Sequence, residues 1–301
     1  MRNEAKKIDK MVKKLLPLVI ILSGCGGGGG GGAASSAGQT PTSLPTLEAV
    51  GSLVTVTDSA NFTHVLGELK NSGNAAATFV EQKCNFYDAS QSLLATDSSY
   101  IVGANVKLDQ SGLFDDSALN PGDVGYFDVT TTETPASYQC TPTYQVFAVS
   151  APVAKLELAG TPSVKDDGFG SAEILGTVVN SGTSDLTFGH VTAVIRSTNG
   201  NLADIASSYI NGDTVTLSNN ITTDTALHVG GSGTFDILTS VPYADFGSYE
   251  AKFSWNDATI TGGTAAMLSD GVFKMPHSIS RKEYLDGIRI LETFLPMNGD
   301  R

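Results

Sequence analysis

The chain has 301 residues, enough for two domains of ordinary size, and its formal net charge is −13. An acidic protein of this kind repels the phosphates of nucleic acids, so we expect no nucleic-acid partner.

Residues 1–24 have the order of an export signal. Six basic residues precede the apolar run 15–22, and two small residues follow it. The run is shorter than the about 20 residues that a membrane-spanning helix needs. Residues 22–25, LSGC, resemble the lipobox of bacterial lipoproteins, and the resemblance implies cleavage before Cys25 and acylation of that residue. An ordinary secretory signal with a chance cysteine is the alternative, and Met11 is a second possible start.

Residues 25–46 follow as the acylated cysteine and a tether rich in Gly, Ala, Ser, Thr and Pro. A coil of this composition has a typical span of roughly 25 Å. Multiple acyl chains make anchoring stable where one chain gives only marginal binding. We therefore expect a lipid-anchored protein of the bacterial cell envelope. Gly26, instead of Asp, after the cysteine resembles the signal for the outer membrane.

The rest of the chain contains an internal duplication. Residues 64–73 align with 173–182, and residues 78–101 align with 187–210, both without gaps at an offset of 109. Self-similarity at a fixed period indicates two copies of one structural unit. We place the copies at 47–150 and 151–260, and the later parts of the copies match at an offset one residue shorter.

Each copy has the pattern of short antiparallel strands. In 249–255, YEAKFSW, apolar residues alternate with polar ones, as in a half-buried strand. In 190–197, HVTAVIRS, alternation places Val191, Ala193 and Ile195 on one face. Turn residues, including an Asn-Ser-Gly sequence that both copies share, separate such runs, with no helical stretch within a copy. The predicted fold is all-β, with two tandem immunoglobulin-like antiparallel β-sandwiches and a short C-terminal helix.

Two cysteines remain besides the lipidation site. Cys84 aligns with Ala193, and Cys140 aligns with Ala251, so one copy has two cysteines where the other has two alanines. Both positions lie on the inferred inward face, and an exported protein meets conditions that permit disulfides. The simplest interpretation is a cross-sheet Cys84–Cys140 disulfide in the first copy alone. Two unpaired buried thiols are the alternative.

Two family resemblances concern these copies. Tyr138-Gln139-Cys140 resembles the end of an immunoglobulin-type domain, although the expected core tryptophan is absent. The closer resemblance is to FxLYD domains of bacterial and archaeal envelope lipoproteins. It implies a β-sandwich exposed in the envelope and no particular activity. The residues of the first copy that match are Gly67, Asn71, Phe86, Tyr87, Asp88, Leu93, Pro121, Gly122 and Phe127; those of the second are Gly176, Asn180, Leu202, Gly230 and Phe235.

No stretch of the sequence has a recognisable catalytic pattern. HExxH, GxSxG, P-loop and CxxC patterns do not occur. His64 aligns with Glu173 and His190 with Glu81, which favours exposed strand positions over metal ligands. The acidic loops lack the DxDxDG spacing of a calcium site and are interpreted as solvated turns; their carboxylates are Asp109, Asp115, Asp116, Asp123, Asp166 and Asp167. We expect no catalytic residues, no metal and no cofactor.

The tail 261–301 differs from the two copies. Residues 280–295 begin with a capping box, Ser280 to Glu283, and continue with an apolar stripe at helical spacing, which predicts an amphipathic helix. We expect this helix either to dock on the second sandwich or to bind a partner.

The predicted function is that of a non-catalytic, membrane-anchored envelope lipoprotein with a structural or protein-interaction role. Its partners are the membrane, through Cys25, and an unknown envelope or extracellular protein. The alternatives are a calcium- or glycan-binding module and a hydrolase with a site built from loops.

Overall fold

The computed structural model describes residues 44–58, 61–216 and 222–258. The predicted lipidation site Cys25, residues 26–43 of its tether and the helix at 280–295 lie outside these ranges. The prediction of a tether is wrong for residues 44–46, which are hydrogen-bonded to the turn at Asn71–Asn74. Within them the regular structure is antiparallel β-strand apart from one 3₁₀ turn, Tyr243–Asp245, which confirms the all-β prediction. No helix in the described part is long and apolar enough to cross a membrane.

The first sandwich contains nine strands. Its two main sheets have the orders β1-β2-β7 and β4-β3-β8, and a small third sheet has the order β6-β5-β9. The strands are β1 Leu47–Thr57, β2 Thr63–Asn71, β3 Thr78–Tyr87, β4 Leu93–Tyr100, β5 Ala104–Leu108, β6 Phe114–Ala118, β7 Val124–Thr131, β8 Ser137–Gln145 and β9 Val149–Ser150.

The second sandwich repeats this arrangement. Strands β10 and β11 pair with successive parts of β12, so together they correspond to the long strand β1, which pairs with β2. On its other side, β12 pairs with β17. The other sheets are β14-β13-β18 and β15-β16. The strands are β10 Leu156–Leu158, β11 Ser163–Asp166, β12 Ser171–Asn180, β13 Asp185–Ser197, β14 Leu202–Tyr209, β15 Asp213–Thr216, β16 Thr222–Ala226, β17 Ser232–Pro242 and β18 Phe246–Ala258.

Each sandwich has its own core between its main sheets. In the second, Val191, Ala193 and Ile195 are fully buried, as the alternation in the sequence predicted, and the apolar residues of β18 pack against them. Phe86, Phe127 and other inward residues form the corresponding core of the first sandwich.

A buried asparagine holds the same turn in both copies. The Asn71 side chain accepts hydrogen bonds from the Thr46 and Gly73 N–H groups and donates two to the Ala75 and Leu119 carbonyls, at 2.7–3.2 Å. Asn180 makes the equivalent four bonds in the second copy. Because the asparagine side chain bonds four main-chain groups of the turn and its neighbours at once, it explains why the Asn-Ser-Gly sequence is repeated.

A glycine that packs against a phenylalanine ring is the second structural feature that both copies share. Gly67 lies opposite Phe127, and Gly176 lies opposite Phe235, on neighbouring strands. A Cβ atom on either glycine would lie 2.4 Å from Cζ of the facing ring. The ring therefore occupies the space over the glycine in both copies.

The Cys84–Cys140 disulfide is present, but its predicted cross-sheet position is wrong. The two cysteines face each other on β3 and β8, which are neighbours in one sheet. Ala193 and Ala251 face each other at the same register on β13 and β18. A period of two assigns a residue to a face of a strand, and it does not reveal which strands are neighbours.

The two sandwiches pack face to face and belong to one compact unit. The outer face of β1-β2-β7 contacts the outer face of β14-β13-β18 through a shared apolar cluster whose buried members are Leu66, Val102, Tyr126, Val194 and Leu202. Arg196 Nη2 lies 2.6 Å from Glu68 Oε1. The Tyr126 hydroxyl donates to Glu250 Oε2 at 2.8 Å. Strand β13 is therefore buried on both faces.

The equivalent outer faces that no described strand covers are more polar. Val194 and Ile205 of the interface correspond to Asn85 and Thr96 in the first sandwich, and Tyr126 corresponds to Thr234 in the second. A polar outer face is what a terminal repeat needs for solubility.

Candidate binding sites

The joining segment, residues 151–155, connects the two sandwiches. An open crevice lies where both sandwiches meet this segment. Its volume is about 370 Å³. The first sandwich contributes the residues around Gly103, Asn105 and Asp123, the joining segment contributes Lys155, and β18 contributes Phe253, Trp255 and Lys252. The crevice is assembled from different faces of the two copies.

Hydrogen bonds and ion pairs fix the polar side chains of this crevice. Asn105 Nδ2 donates to the Trp255 carbonyl at 2.9 Å, which ties one sandwich to the other. Asp123 Oδ2 accepts from the backbone and side-chain nitrogens of Asn120.

The two crevice lysines are held by glutamates. Lys155 is paired with Glu157, and Lys252 Nζ lies 2.6 Å from Glu250 Oε1. Lys252 Nζ also lies 5.5 Å from the ring centre of Tyr126. Burial and the hydrogen bond to Glu250 raise the pKa of Tyr126 to about 12, so this phenol stays protonated at neutral pH.

A second candidate site is the loop between β11 and β12, at the end of the second sandwich opposite the joining segment. Phe169 at its tip is 95% exposed. Asp166 Oδ1 accepts from the Gly168 and Gly170 N–H groups, and Asp167 Oδ1 accepts from the Phe169 and Ser171 N–H groups, at 2.7–3.2 Å. The two glycines have φ of +89° and +98°. The loop thus holds an aromatic ring in water on a preformed turn.

A neighbouring turn supports this loop. The Tyr243 N–H donates to the Gly170 carbonyl at 2.9 Å, and the Tyr243 side chain is 45% exposed. Sequence reasoning examined the carboxylates of this segment and missed Phe169. An aromatic residue between two glycines in an acidic turn was the available signal.

Four of the six carboxylates predicted to lie in solvated turns accept hydrogen bonds, and for Asp115 the prediction of a solvated turn is wrong. Asp115 is 4% exposed and accepts from the Phe79 N–H and from both polar groups of Ser117. Burial raises the pKa of Asp115 above its ordinary value. Across the described ranges, no three His, Cys, Asp or Glu side chains are grouped so that they could hold a metal ion.

The two aligned histidines differ from the exposed positions that the sequence suggested. His190 is fully buried, and its ring packs edge to face on Tyr209 with centroids 5.1 Å apart. His64 is partly buried between two carboxylates, with Nδ1 2.9 Å from Asp128 Oδ2 and Nε2 3.5 Å from Asp58 Oδ2. The hydrogen bond and charge of Asp128, aided by Asp58 and opposed by burial, raise the pKa of His64 to about 9.

Protonated His64 should therefore stabilise the first sandwich. Its folded-state pKa lies above the unfolded value, so the contribution is complete below pH 6.5 and is lost as the pH rises through about 9. We expect the free energy of unfolding to fall by about 1–2 kcal/mol over this window. Denaturant titrations at several pH values measure it. The His64→Gln variant should lose this slope, and an identical slope in the variant would contradict the assignment.

The predicted site residues do not come together in one site. Cys84 and Cys140 lie within the first sandwich and stabilise it, and Cys25 lies outside the described residues. A scan of the sequence against protein-family models gives no match, and a search of curated proteins finds no similar sequence.

Proposed function

We propose that this chain is a non-catalytic lipoprotein of the bacterial cell envelope, anchored in the outer membrane by acyl groups on Cys25, and that it presents two stacked sandwiches to an envelope or extracellular protein. The observation that carries the interaction role is the Phe169 loop. A fully hydrated phenylalanine gains the free energy of burial only when a partner covers it. Aromatic anchors of this kind dominate protein interfaces.

The position of the loop supports the same role. Strand β12 runs from Ser171, beside the loop, to Asn180, beside the joining segment. At about 3.3 Å per residue, the strand places the loop roughly 30 Å from that end. The last described residue, Ala258, pairs with Asp185 near the joining segment, so the loop is remote from Ala258.

The preformed turn lowers the cost of binding. The loop is already held by four side-chain hydrogen bonds, so little backbone freedom remains to be lost when a partner binds. Asp166 and Asp167 place negative charge beside the ring. The partner surface that fits is an apolar pocket with basic residues at its rim.

Photo-crosslinking on intact cells tests this proposal. The photoreactive residue p-benzoyl-phenylalanine replaces Phe169 in one full-length protein and Val229 in a control. Val229 is 53% exposed and lies in a turn that bonds to Asn180, at the opposite end of the sandwich. We expect a defined protein conjugate from position 169 alone, identifiable by mass spectrometry. The purified partner should bind the wild type at least tenfold more tightly than Phe169→Ala, and less tightly as salt rises. No conjugate, or the same conjugate from both positions, would refute the interaction role of this loop.

A further inference from the structure

The crevice between the sandwiches combines an apolar wall with separate polar groups. Phe253 and Trp255, which also pack against the core of the second sandwich, are among its apolar lining residues, and Gly103 and Ala104 add little bulk. Its volume of about 370 Å³ lies at the low end of the range for small-molecule sites. One or two small rings of a longer molecule fit a space of this size that is open on one side.

Several polar atoms of the crevice side chains can still form hydrogen bonds with a ligand. Asn105 uses its amide N–H on the Trp255 carbonyl, and its Oδ1 is available as an acceptor. Asp123 uses Oδ2 on Asn120, and its Oδ1 is similarly available. The ammonium groups of Lys155 and Lys252 each carry three N–H donors and use only part of that capacity on Glu157 and Glu250. Hydrogen-bond donors and acceptors therefore lie beside the apolar residues of the crevice.

The charges of the crevice favour a neutral ligand. Each lysine is already neutralised by its own glutamate, and Asp123 adds a further negative charge. A phosphate or a carboxylate would have to displace these carboxylates. A molecule with both an apolar face and several hydroxyl groups, each able to donate and accept, meets all of these conditions. We infer that the crevice binds a neutral sugar ring of a glycan, with its C–H face toward Phe253 and Trp255 and its hydroxyls toward Asn105 and Asp123.

The sole tryptophan of the chain gives a direct reporter, because Trp255 lines the crevice. The full-length protein in detergent is titrated with cellobiose, maltose, lactose and chitobiose, and with glucuronic acid as the charged comparison. We expect a saturable change in tryptophan emission with at least one neutral disaccharide, and saturation-transfer NMR signals from the protons of the same sugar. Glucuronic acid should bind at least fivefold more weakly.

Two variants and a control complete the test. Asn105→Ala and Asp123→Asn should each weaken binding of that disaccharide at least fivefold, whereas Asn201→Ala, on an exposed loop of the second sandwich, should leave it unchanged. Circular dichroism checks that each variant is folded. The inference is overturned if no neutral disaccharide gives either signal, if glucuronic acid binds more tightly, or if both crevice variants bind like the wild type. The Phe169 loop lies at the other end of the sandwich, so a failure here leaves the proposed function untouched.

Discussion

Replacing both Cys84 and Cys140 with alanine will lower the free energy of unfolding of the first sandwich by about 4 kcal/mol, because the disulfide closes a loop with a sequence separation of 56 residues. The unfolded chain gains the conformational freedom that the bridge removes. The variant should still fold, since Ala193 and Ala251 occupy the same facing positions in the second sandwich. Chemical denaturation followed by circular dichroism measures the difference.

The second copy supplies the matched control. Introducing the pair Ala193→Cys and Ala251→Cys should add a bridge of the same register and stabilise the second sandwich instead. Thiol counting on the denatured, unreduced, exported wild type should find neither Cys84 nor Cys140 free. Two free thiols, or a double-alanine variant as stable as the wild type, would contradict the assigned bridge.

Asn71→Ala is expected to destabilise the first sandwich by about 3 kcal/mol. The substitution removes four hydrogen bonds at once and leaves the N–H groups of Thr46 and Gly73 and the Ala75 carbonyl without this partner. The Asn71 side chain is itself fully buried, so its removal also leaves a cavity. Thermal and denaturant unfolding measure the loss.

The control for this prediction is Asn201→Ala. Asn201 is exposed on a hairpin loop, and removing its side chain should change the free energy of unfolding by no more than about 0.5 kcal/mol. Asn180→Ala should reproduce the large effect in the second sandwich. If Asn71→Ala behaves like Asn201→Ala, the turn is held by something other than the asparagine network.

The repeated residues allowed much of the fold to be predicted. Alternation of apolar and polar residues assigned Val191, Ala193 and Ile195 to the core, and the Cys-for-Ala exchange between the copies identified the bridge. Both signals can be seen in a single sequence, because one repeats every two residues and the other recurs at the offset of 109 residues. The Asn-Ser-Gly repeat marked a structural turn before its hydrogen bonds were known. In each case the duplication shows which residues the common fold retains.

The sequence does not show which strands are neighbours or where the strands bulge. Phe79 and Phe188 occupy equivalent positions and have φ of +48° and +54°, within bulges that interrupt the pairing of β3 and β13. Such a conformation is uncommon for a bulky residue. No local pattern in either stretch indicates it, because the register of the neighbouring strands imposes the bulge.

The candidate crevice could not be predicted from the sequence either. Its lining comes from segments near residues 103, 123, 155 and 253, which are far apart in the chain. Local motifs cannot reveal a site that exists only because two similar sandwiches pack through different faces. The substitutions that create this interface, such as Val194 for Asn85, become interpretable only once the facing surfaces are known.

Lipid labelling of the full-length protein tests the proposed anchoring at the cell envelope most directly. Cells expressing the wild type or Cys25→Ala are grown with an alkyne-tagged palmitate, and the purified protein is examined for the tag, its molecular mass and its membrane fraction. We expect the wild type to be cleaved before Cys25, labelled and recovered with the outer membrane, and the variant to be unlabelled and either uncleaved or released. Equal labelling of both proteins, or no labelling of the wild type, would contradict an acyl anchor at Cys25.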